Sequence, residues 1–205
     1  LTFATFDLRK DEEIPAEQLR KLESTFNAVR AYADNPDGWL LLLGVYGSGK
    51  THLAAAIANY RKAQGQPVMF DTVPDLLDHL RATFSPTSTV SYDNIFTQVK
   101  NAKLLILDDL GLESETPWVR EKVYQLVNHR WLKGLPTIVT TNRSPDDLAG
   151  RYGDGVVSRL WGSSLVRFAR PPHDPSLYLT EPVACVVTAL YSYNLTPGDR
   201  VLLIG

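Results

Sequence analysis

Short apolar runs alternate with longer amphipathic stretches along most of the chain. The short runs have the length of buried strands. They lie at residues 39–43, 67–71, 103–107, 136–141 and 164–168. The longer stretches are rich in helix formers or repeat apolar residues at intervals of three and four, which predicts helices. These lie at residues 16–33, 51–62, 73–84, 92–101, 116–132, 145–150 and 153–161. Such alternation predicts an α/β fold with a parallel sheet covered by helices on both faces.

The most specific motif lies between the first predicted strand and the next helix. Residues 44–51 are Gly-Val-Tyr-Gly-Ser-Gly-Lys-Thr, which matches the phosphate-binding pattern G-x-x-x-x-G-K-[ST]. Its glycines let backbone N–H groups surround an anion, Lys50 can reach the β- and γ-phosphates, and Thr51 can bind Mg²⁺. The helix N-terminus favours negative charge at the same place. A glycine turn that matches by chance is the alternative.

The sequence therefore predicts that a nucleoside triphosphate binds at this loop. The candidate binding residues are Gly44, Gly47, Ser48, Gly49, Lys50, Thr51 and His52.

Two acids follow the third predicted strand, in Leu104-Leu105-Ile106-Leu107-Asp108-Asp109. Carboxylates in this position emerge at the C-terminal edge of an open α/β sheet, where ligands bind. A Mg²⁺ ion held by Thr51 needs a carboxylate nearby, so Asp108 is the predicted metal ligand. Asp109 is the candidate general base that polarises the attacking water. The alternative is that both acids only cap the next turn.

Two more polar residues are candidates for catalysis. Asn142 directly follows the fourth predicted strand, where an amide can orient water near a γ-phosphate. Its alternative role is to shape a turn. Arg159 lies on a short predicted helix and could stabilise charge that develops on a neighbouring subunit's γ-phosphate. From the residues alone, a surface ion pair is the better explanation of this arginine.

A mixture of cations and aromatics lies between the second and third predicted strands. Such residues can grip phosphates and stack bases, which makes them candidates for contact with single-stranded DNA. They are Arg81, Phe84, Tyr92 and Lys100. An ordinary amphipathic helix with a solvated face is the alternative for each of them.

Composition restricts the classes of partner. The formal net charge of −2 gives no global attraction to nucleic acid or to anionic membrane, so DNA binding would need a local basic patch. The apolar stretches at 39–46 and 182–191 are far shorter than the roughly 20 residues needed to cross a bilayer. The one cysteine, Cys185, excludes an intrachain disulfide. We expect a cytoplasmic protein without a signal peptide or membrane contact.

In this order, the motifs resemble the AAA+ ATPase domain of bacterial helicase loaders of the DnaC/DnaI type and of the related IstB transposition helpers. The resemblance covers about residues 1–172. The motifs that carry it are Phe3 and Phe6, the loop at 44–51, Asp108-Asp109-Leu110-Gly111, residues 136–142 and Ser158-Arg159-Leu160.

The resemblance implies a P-loop NTPase of the AAA+ type with a five-stranded parallel sheet in the order 5-1-4-3-2. It implies a homo-oligomer with ATP between subunits, contact with single-stranded DNA, and a partner that is a replicative helicase or a transposase. Lys50, Thr51 and Asp108 would hold ATP and Mg²⁺. Asn142 would be the sensor and Arg159 the finger acting in trans.

Two departures from the family pattern bear on the ATPase site. Asp109 takes the place that a glutamate fills in many relatives, and its shorter reach predicts slow, switch-like hydrolysis that DNA or a partner stimulates. A helical lid with its own sensing arginine is not evident, so we expect a reduced or absent lid domain.

The tail, residues 173–205, has a different character. Residues 181–187 and 195–205 are similar to a junction in zinc-type medium-chain dehydrogenases, where a Pro-Gly-Asp turn leads into a Rossmann strand. The G-x-G-x-x-G loop is missing, and Glu181 and Cys185 alone cannot supply the three ligands of a catalytic zinc. We therefore expect an incomplete fragment, an artefact or a native extension, and no dehydrogenase activity.

The leading hypothesis is an ATP-hydrolysing protein that loads a replicative helicase onto single-stranded DNA. The alternatives are an ATP-dependent transposition helper and a nucleotide-gated DNA-binding adaptor with little hydrolysis.

Overall fold

A central sheet organises the part of the chain that the computed structural model describes, namely residues 1–8, 16–85, 91–162, 164–169 and 186–187. Its strands are β1 Trp39–Gly44, β2 Met69–Thr72, β3 Leu105–Asp108, β4 Thr137–Thr141, β5 Ser164–Ala169 and β6 Val186–Val187. The helices are α1 Ala16–Asp34, α2 Lys50–Ala63, α3 Val73–Ala82, α4 Tyr92–Asn101, α5 Pro117–Leu132, α6 Pro145–Tyr152 and α7 Asp154–Trp161. A 3₁₀ turn at Phe3–Thr5 precedes them.

The strand order is β2-β3-β4-β1-β5-β6. Strands β1 to β5 pair in parallel, so the predicted order 5-1-4-3-2 is confirmed. The sixth strand was not predicted. It pairs antiparallel with β5 through Val186 and Val187. Two residues are too few for a periodic pattern, so this strand had no signal of its own. The rest of the tail lies outside the described residues, and its interpretation stays a prediction.

The apolar core lies on both faces of the sheet, and β1 shows why. All six of its residues are buried, which explains its uninterrupted apolar run. Leu41 and Leu43 join the cluster formed with α3 to α7. Leu40 and Leu42 face the other way, into the cluster formed with α1, α2 and Phe3. The helix-covered parallel sheet is therefore as predicted.

Strand β3 begins and ends later than the apolar pattern suggests, and this shift affects the site. Its last ladder position pairs Asp108 with Thr72 of β2. Asp108 is therefore fixed inside the sheet and is only 2% exposed. The ladder therefore fixes the backbone from which its carboxylate extends at the C-terminal edge of the sheet.

Arg130 of α5 links the end of α4 to the start of β4 and is completely buried. Its guanidinium donates to the carbonyls of Val99, Lys100 and Ala102 at the end of α4. It also donates to Thr137 Oγ1 at 2.8 Å and to the Pro136 carbonyl at 2.6 Å, beside the start of β4. Burial lowers its pKa to about 10. This arginine ties α4 to β4, and in the described part of the chain no carboxylate pairs with it.

Candidate nucleotide-binding site

The loop at residues 44–51 leads from β1 into α2, as predicted. Gly47 and Gly49 have φ angles of +75° and +88°, which a residue with a side chain rarely adopts. Gly49 is the N-cap of α2, and no side chain caps that helix end. The free N–H groups of the first turn therefore remain available to an anion.

Lys50 lies within this loop and is 5% exposed. Its Nζ donates to the Val45 carbonyl at 2.8 Å and to Ser48 Oγ at 3.4 Å. Ser48 is also buried. The loop thus holds a buried ammonium group among its own backbone atoms, where its attraction for phosphate is stronger than in bulk water.

One oxygen of Asp108 links β3 to the start of α2 and to β4. Thr51 Oγ1, from the first turn of α2, donates to Asp108 Oδ1 at 3.1 Å. Thr140 Oγ1, from β4, donates to the same oxygen at 2.5 Å. The two residues predicted to bind Mg²⁺ are therefore adjacent. A hydroxyl and a carboxylate side by side are the hard oxygen donors that this ion prefers.

Asp109 turns the chain sharply after β3. Its φ angle is +58°, the left-handed region that aspartate tolerates better than most residues. Thr140 supports this turn, since its Oγ1 accepts from the Asp109 N–H at 2.9 Å and its carbonyl accepts from the Leu110 N–H. Burial, and then the neighbouring Asp108, raise the pKa of Asp109, while Lys50 opposes the change. The three charged groups thus share one site.

Asn142 follows β4 and is exposed. Because β4 lies between β1 and β3, Asn142 lies at the same sheet edge as the loop and Asp108. This placement fits a residue that faces a bound triphosphate.

A network behind Asp109 was missed from the sequence. Glu113 is 7% exposed, and its Oε2 accepts from the Gly111 N–H at 3.1 Å. Arg143 donates to the Gly111 carbonyl and Arg151 to the Glu113 carbonyl, each at 3.1 Å. Gly111, at φ +97°, has no room for a Cβ, which would lie 2.7 Å from Arg143 Cγ. Only the glycine after Asp108-Asp109-Leu110 offered a sequence signal for this turn.

His52 contacts the N-terminal segment. Its Nε2 lies 3.0 Å from the Thr2 carbonyl and 3.3 Å from Thr5 Oγ1. The Phe6 ring meets it edge-on at 5.2 Å. His52 therefore joins the first residues of the chain to the phosphate-loop helix, and its predicted role in nucleotide binding stays a prediction.

Arg159 lies on α7 and is half-buried. Its Nη2 donates to Asn128 Oδ1 at 2.7 Å, and its Nη1 donates to the Gly155 carbonyl. The guanidinium lies over the Tyr124 ring. A surface ion pair is therefore not its role among the described residues.

The candidate DNA-binding residues separate into two places. Phe84 is 59% exposed and stacks on Tyr92 at 5.3 Å between ring centroids. Trp118 of α5 meets the Phe84 ring edge-on, and Arg81 lies over Trp118 at 5.1 Å. Lys100 lies over the Phe96 ring, at the opposite end of α4 from Tyr92. The structure thus brings Arg81, Phe84 and Tyr92 together with Trp118, and places Lys100 apart.

The described ranges contain no cluster of three or more His, Cys, Asp or Glu side chains suited to a metal. None of the helices in those ranges is long and apolar enough to span a membrane.

The fold and the site define a P-loop nucleotide-binding protein of the AAA+ type. The crystal structure of the DnaC helicase loader is similar, with a TM-score of 0.62 and 27% identity over 78% of this chain and 93% of that chain. The replication initiator DnaA bound to AMPPCP and single-stranded DNA shares the fold, with a TM-score of 0.65 and 22% identity over 81% of this chain and 49% of that chain.

Sequence comparison identifies the family. A model described as an IstB-like ATP binding protein matches residues 1–161. The chain therefore belongs to the IstB-like ATP-binding family, and ATP is its ligand.

Two replicative helicase loaders are similar in sequence. DnaC of Escherichia coli (strain K12) is 31% identical over 150 residues, which are 70% of this chain and 61% of that protein. DnaI of Bacillus subtilis (strain 168) is 34% identical over 137 residues, which are 66% of this chain and 43% of that protein. The chain thus spans about half the length of the curated relatives it matches.

The buried Glu113 carboxyl generates a prediction about pH. Burial raises its pKa above the usual 4.5, although the Gly111 N–H and two arginines oppose this. The folded state then binds this proton more tightly, so the contribution of Glu113 to stability is present below its unfolded pKa and is lost as pH rises through the folded pKa. We expect Glu113→Gln to raise the melting temperature, relative to wild type, more at about pH 7 than at about pH 4.

Asp147→Asn is the matched control, because the pKa of Asp147 is shifted in the opposite direction to that of Glu113. The Ser144 hydroxyl lowers the pKa of Asp147, so its contribution is present above the unfolded pKa and is lost as pH falls. Thermal denaturation of both variants at the two pH values measures the difference. An effect of Glu113→Gln that does not change with pH would contradict this account of Glu113.

Proposed function

We propose that this chain is an ATPase that loads a replicative helicase onto single-stranded DNA, as part of a larger protein or assembly. The observation that carries the ATPase proposal is the contact of Thr51 and Thr140 with one oxygen of Asp108 beside the buried Lys50. The similarity to DnaC and DnaI supports a helicase as the partner. The low cysteine content is consistent with a reducing cytoplasm.

Binding would depend on the loop and on the end of β3. The N–H groups of residues 47–51 and the Lys50 ammonium would surround the β- and γ-phosphates. Thr51 and Asp108 would hold Mg²⁺, which neutralises charge on the phosphate oxygens. Thr140 would fix the Asp108 carboxylate through the 2.5 Å hydrogen bond between them.

Hydrolysis would use Asp109 and Asn142. Asp109 is half-buried beside Asp108 and Lys50, and its carboxylate would accept a proton from the attacking water. Its shorter side chain leaves more distance to an attacking water than glutamate would, so we infer a slow rate. Asn142, at the same sheet edge, would orient that water with its amide.

Arg159 would complete the site of a neighbouring copy. In this arrangement ATP lies between subunits of a homo-oligomer, and the guanidinium stabilises charge on the transferred phosphoryl group. The similarity of residues 158–160 to the helicase-loader pattern supports this role.

Single-stranded DNA would bind at the aromatic cluster formed by Arg81, Phe84, Tyr92 and Trp118. The exposed Phe84 ring offers a face for a base. The Arg81 guanidinium lies over Trp118 and pairs with Asp78 at 3.2 Å, and it would exchange that carboxylate for a DNA phosphate. Lys100 would extend the basic track only if the strand runs along α4.

A transposition helper is the second candidate, because the matching family model is named for IstB-like proteins. The two functions share the ATP site and differ in the partner. Purified replicative helicase and purified transposase, offered separately in the presence of ATP, distinguish them by which one the protein retains.

Hydrolysis is tested with two substitutions that act differently. Lys50→Ala should abolish ATP binding, because it removes the buried cation of the loop. Asp109→Asn should retain ATP binding within about threefold and lower the turnover rate by at least about 100-fold, since general base catalysis contributes about 10²–10⁴. Phosphate release and equilibrium nucleotide binding measure the two effects.

Lys62→Ala is the control and should behave as wild type, because Lys62 is an exposed residue on α2, the helix that Lys50 begins. If wild type shows no turnover even with DNA and helicase present, the adaptor function replaces the ATPase. Equal turnover of Asp109→Asn and wild type would remove Asp109 from the mechanism.

Loading is tested with Phe84→Ala. We expect this variant to retain helicase as wild type does and to bind single-stranded DNA about tenfold more weakly, because one stacking contact is worth about 1–3 kcal/mol. Transfer of helicase to circular single-stranded DNA should fall accordingly. Leu132→Ala removes another exposed apolar side chain, at the far end of α5, and should change neither quantity. Unchanged DNA affinity in Phe84→Ala would place the DNA site elsewhere.

A further inference from the structure

The arginine on α7 is held by the neighbouring helix α5. Asn128 Oδ1 accepts from Arg159 Nη2 at 2.7 Å. The centre of the guanidinium lies 5.9 Å from the centroid of the Tyr124 ring. Tyr124 and Asn128 are four residues apart on α5, so they lie on one face of that helix. One face of α5 therefore carries both side chains that contact the Arg159 head group.

Gly155 makes this approach possible. A Cβ at position 155 would lie 3.3 Å from Arg159 Nη1 and 3.6 Å from the Tyr124 ring. The Gly155 carbonyl also accepts from Nη1. Gly155, which has no side chain, thus leaves space for the Arg159 guanidinium between α5 and α7.

The partners of Arg159 orient it without neutralising it. An amide oxygen, a backbone carbonyl and an aromatic ring carry no net charge, and no described carboxylate forms an ion pair with this guanidinium. Its Nε is buried and has no acceptor among the described residues. The fully buried Arg130 differs, because acceptors surround its whole head group. Arg130 fits a structural arginine, whereas the charge of the half-buried Arg159 is offset by no described carboxylate and is left to act on another ligand.

We propose that Asn128 and Tyr124 are positioning residues, which hold the Arg159 guanidinium in the orientation that meets the triphosphate of a neighbouring copy of this chain. The proposal rests on the trans-acting role proposed above for Arg159. A preorganised cation loses little freedom when the neighbour's phosphate arrives, so more of its electrostatic energy stabilises the transition state. Loss of the Asn128 contact lets the side chain sample other rotamers, which lowers the turnover rate more than nucleotide affinity.

The test combines two variants that are each inactive. Lys50→Ala subunits cannot bind ATP but carry Arg159, and Arg159→Ala subunits bind ATP but lack the guanidinium. Their mixture should recover ATPase activity at the interfaces where one supplies the arginine to the other. Asn128→Ala is then added to either the arginine donor or the ATP-binding subunit.

We expect Asn128→Ala on the donor to lower the recovered turnover rate about tenfold with no change in the KM for ATP. The same substitution on the ATP-binding subunit should have no effect. Asn128→Asp keeps the hydrogen bond and hence the packing of α5 on α7, but it neutralises the cation, so it should also lower the rate only on the donor.

The outcomes separate the two proposals. If the mixture recovers no activity while wild type is active, the trans-acting role of Arg159 fails. If it recovers activity and Asn128→Ala acts equally on both subunits, has no effect on the donor, or raises the rate there, the positioning role is wrong.

Discussion

The contact between two threonine hydroxyls and one carboxylate oxygen holds the site together. Thr51 follows β1, Thr140 lies in β4, and Asp108 ends β3. These strands are neighbours only because of the crossover order of the sheet, in which β4 lies between β1 and β3. The parallel arrangement brings the ends of β1, β3 and β4 to one edge of the sheet. Hydrogen bonds then hold the side chains of Thr51, Thr140 and Asp108 in contact. This junction joins the phosphate loop to Asp108.

Burial sets the electrostatic character of this edge. Lys50, Asp108 and Asp109 lie close together in a place that water reaches poorly, and burial raises the pKa of Asp109. The left-handed turn at Asp109 allows it to leave the strand direction that Asp108 keeps. Two successive acids therefore acquire different surroundings, one fixed by hydroxyls and the other half-buried and turned away. This difference supports the proposed roles of Asp108 as a metal ligand and of Asp109 as a general base.

Local sequence signals predicted the parts of the site that depend on neighbours in the chain. The glycines at positive φ, Lys50 and Thr51 follow from one eight-residue motif, and the strand order agrees with the resemblance. Thr140, Glu113 and Asn128 could not be found in this way, because each acts through a residue about 30 positions away or through the turn behind Asp109. The aromatic cluster was partly found, since Trp118 joins Phe84 and Tyr92 only through the packing of α5.

A structure with Mg²⁺ and a non-hydrolysable ATP analogue tests the central claim most directly. We predict the γ-phosphate beside the Lys50 ammonium and the metal about 2.0–2.1 Å from Thr51 Oγ1, with Asp108 as its ligand directly or through one water. The Thr51–Asp108 hydrogen bond would then be replaced by the metal. Analogue bound elsewhere, or a metal with no contact to Thr51 and Asp108, would contradict the account.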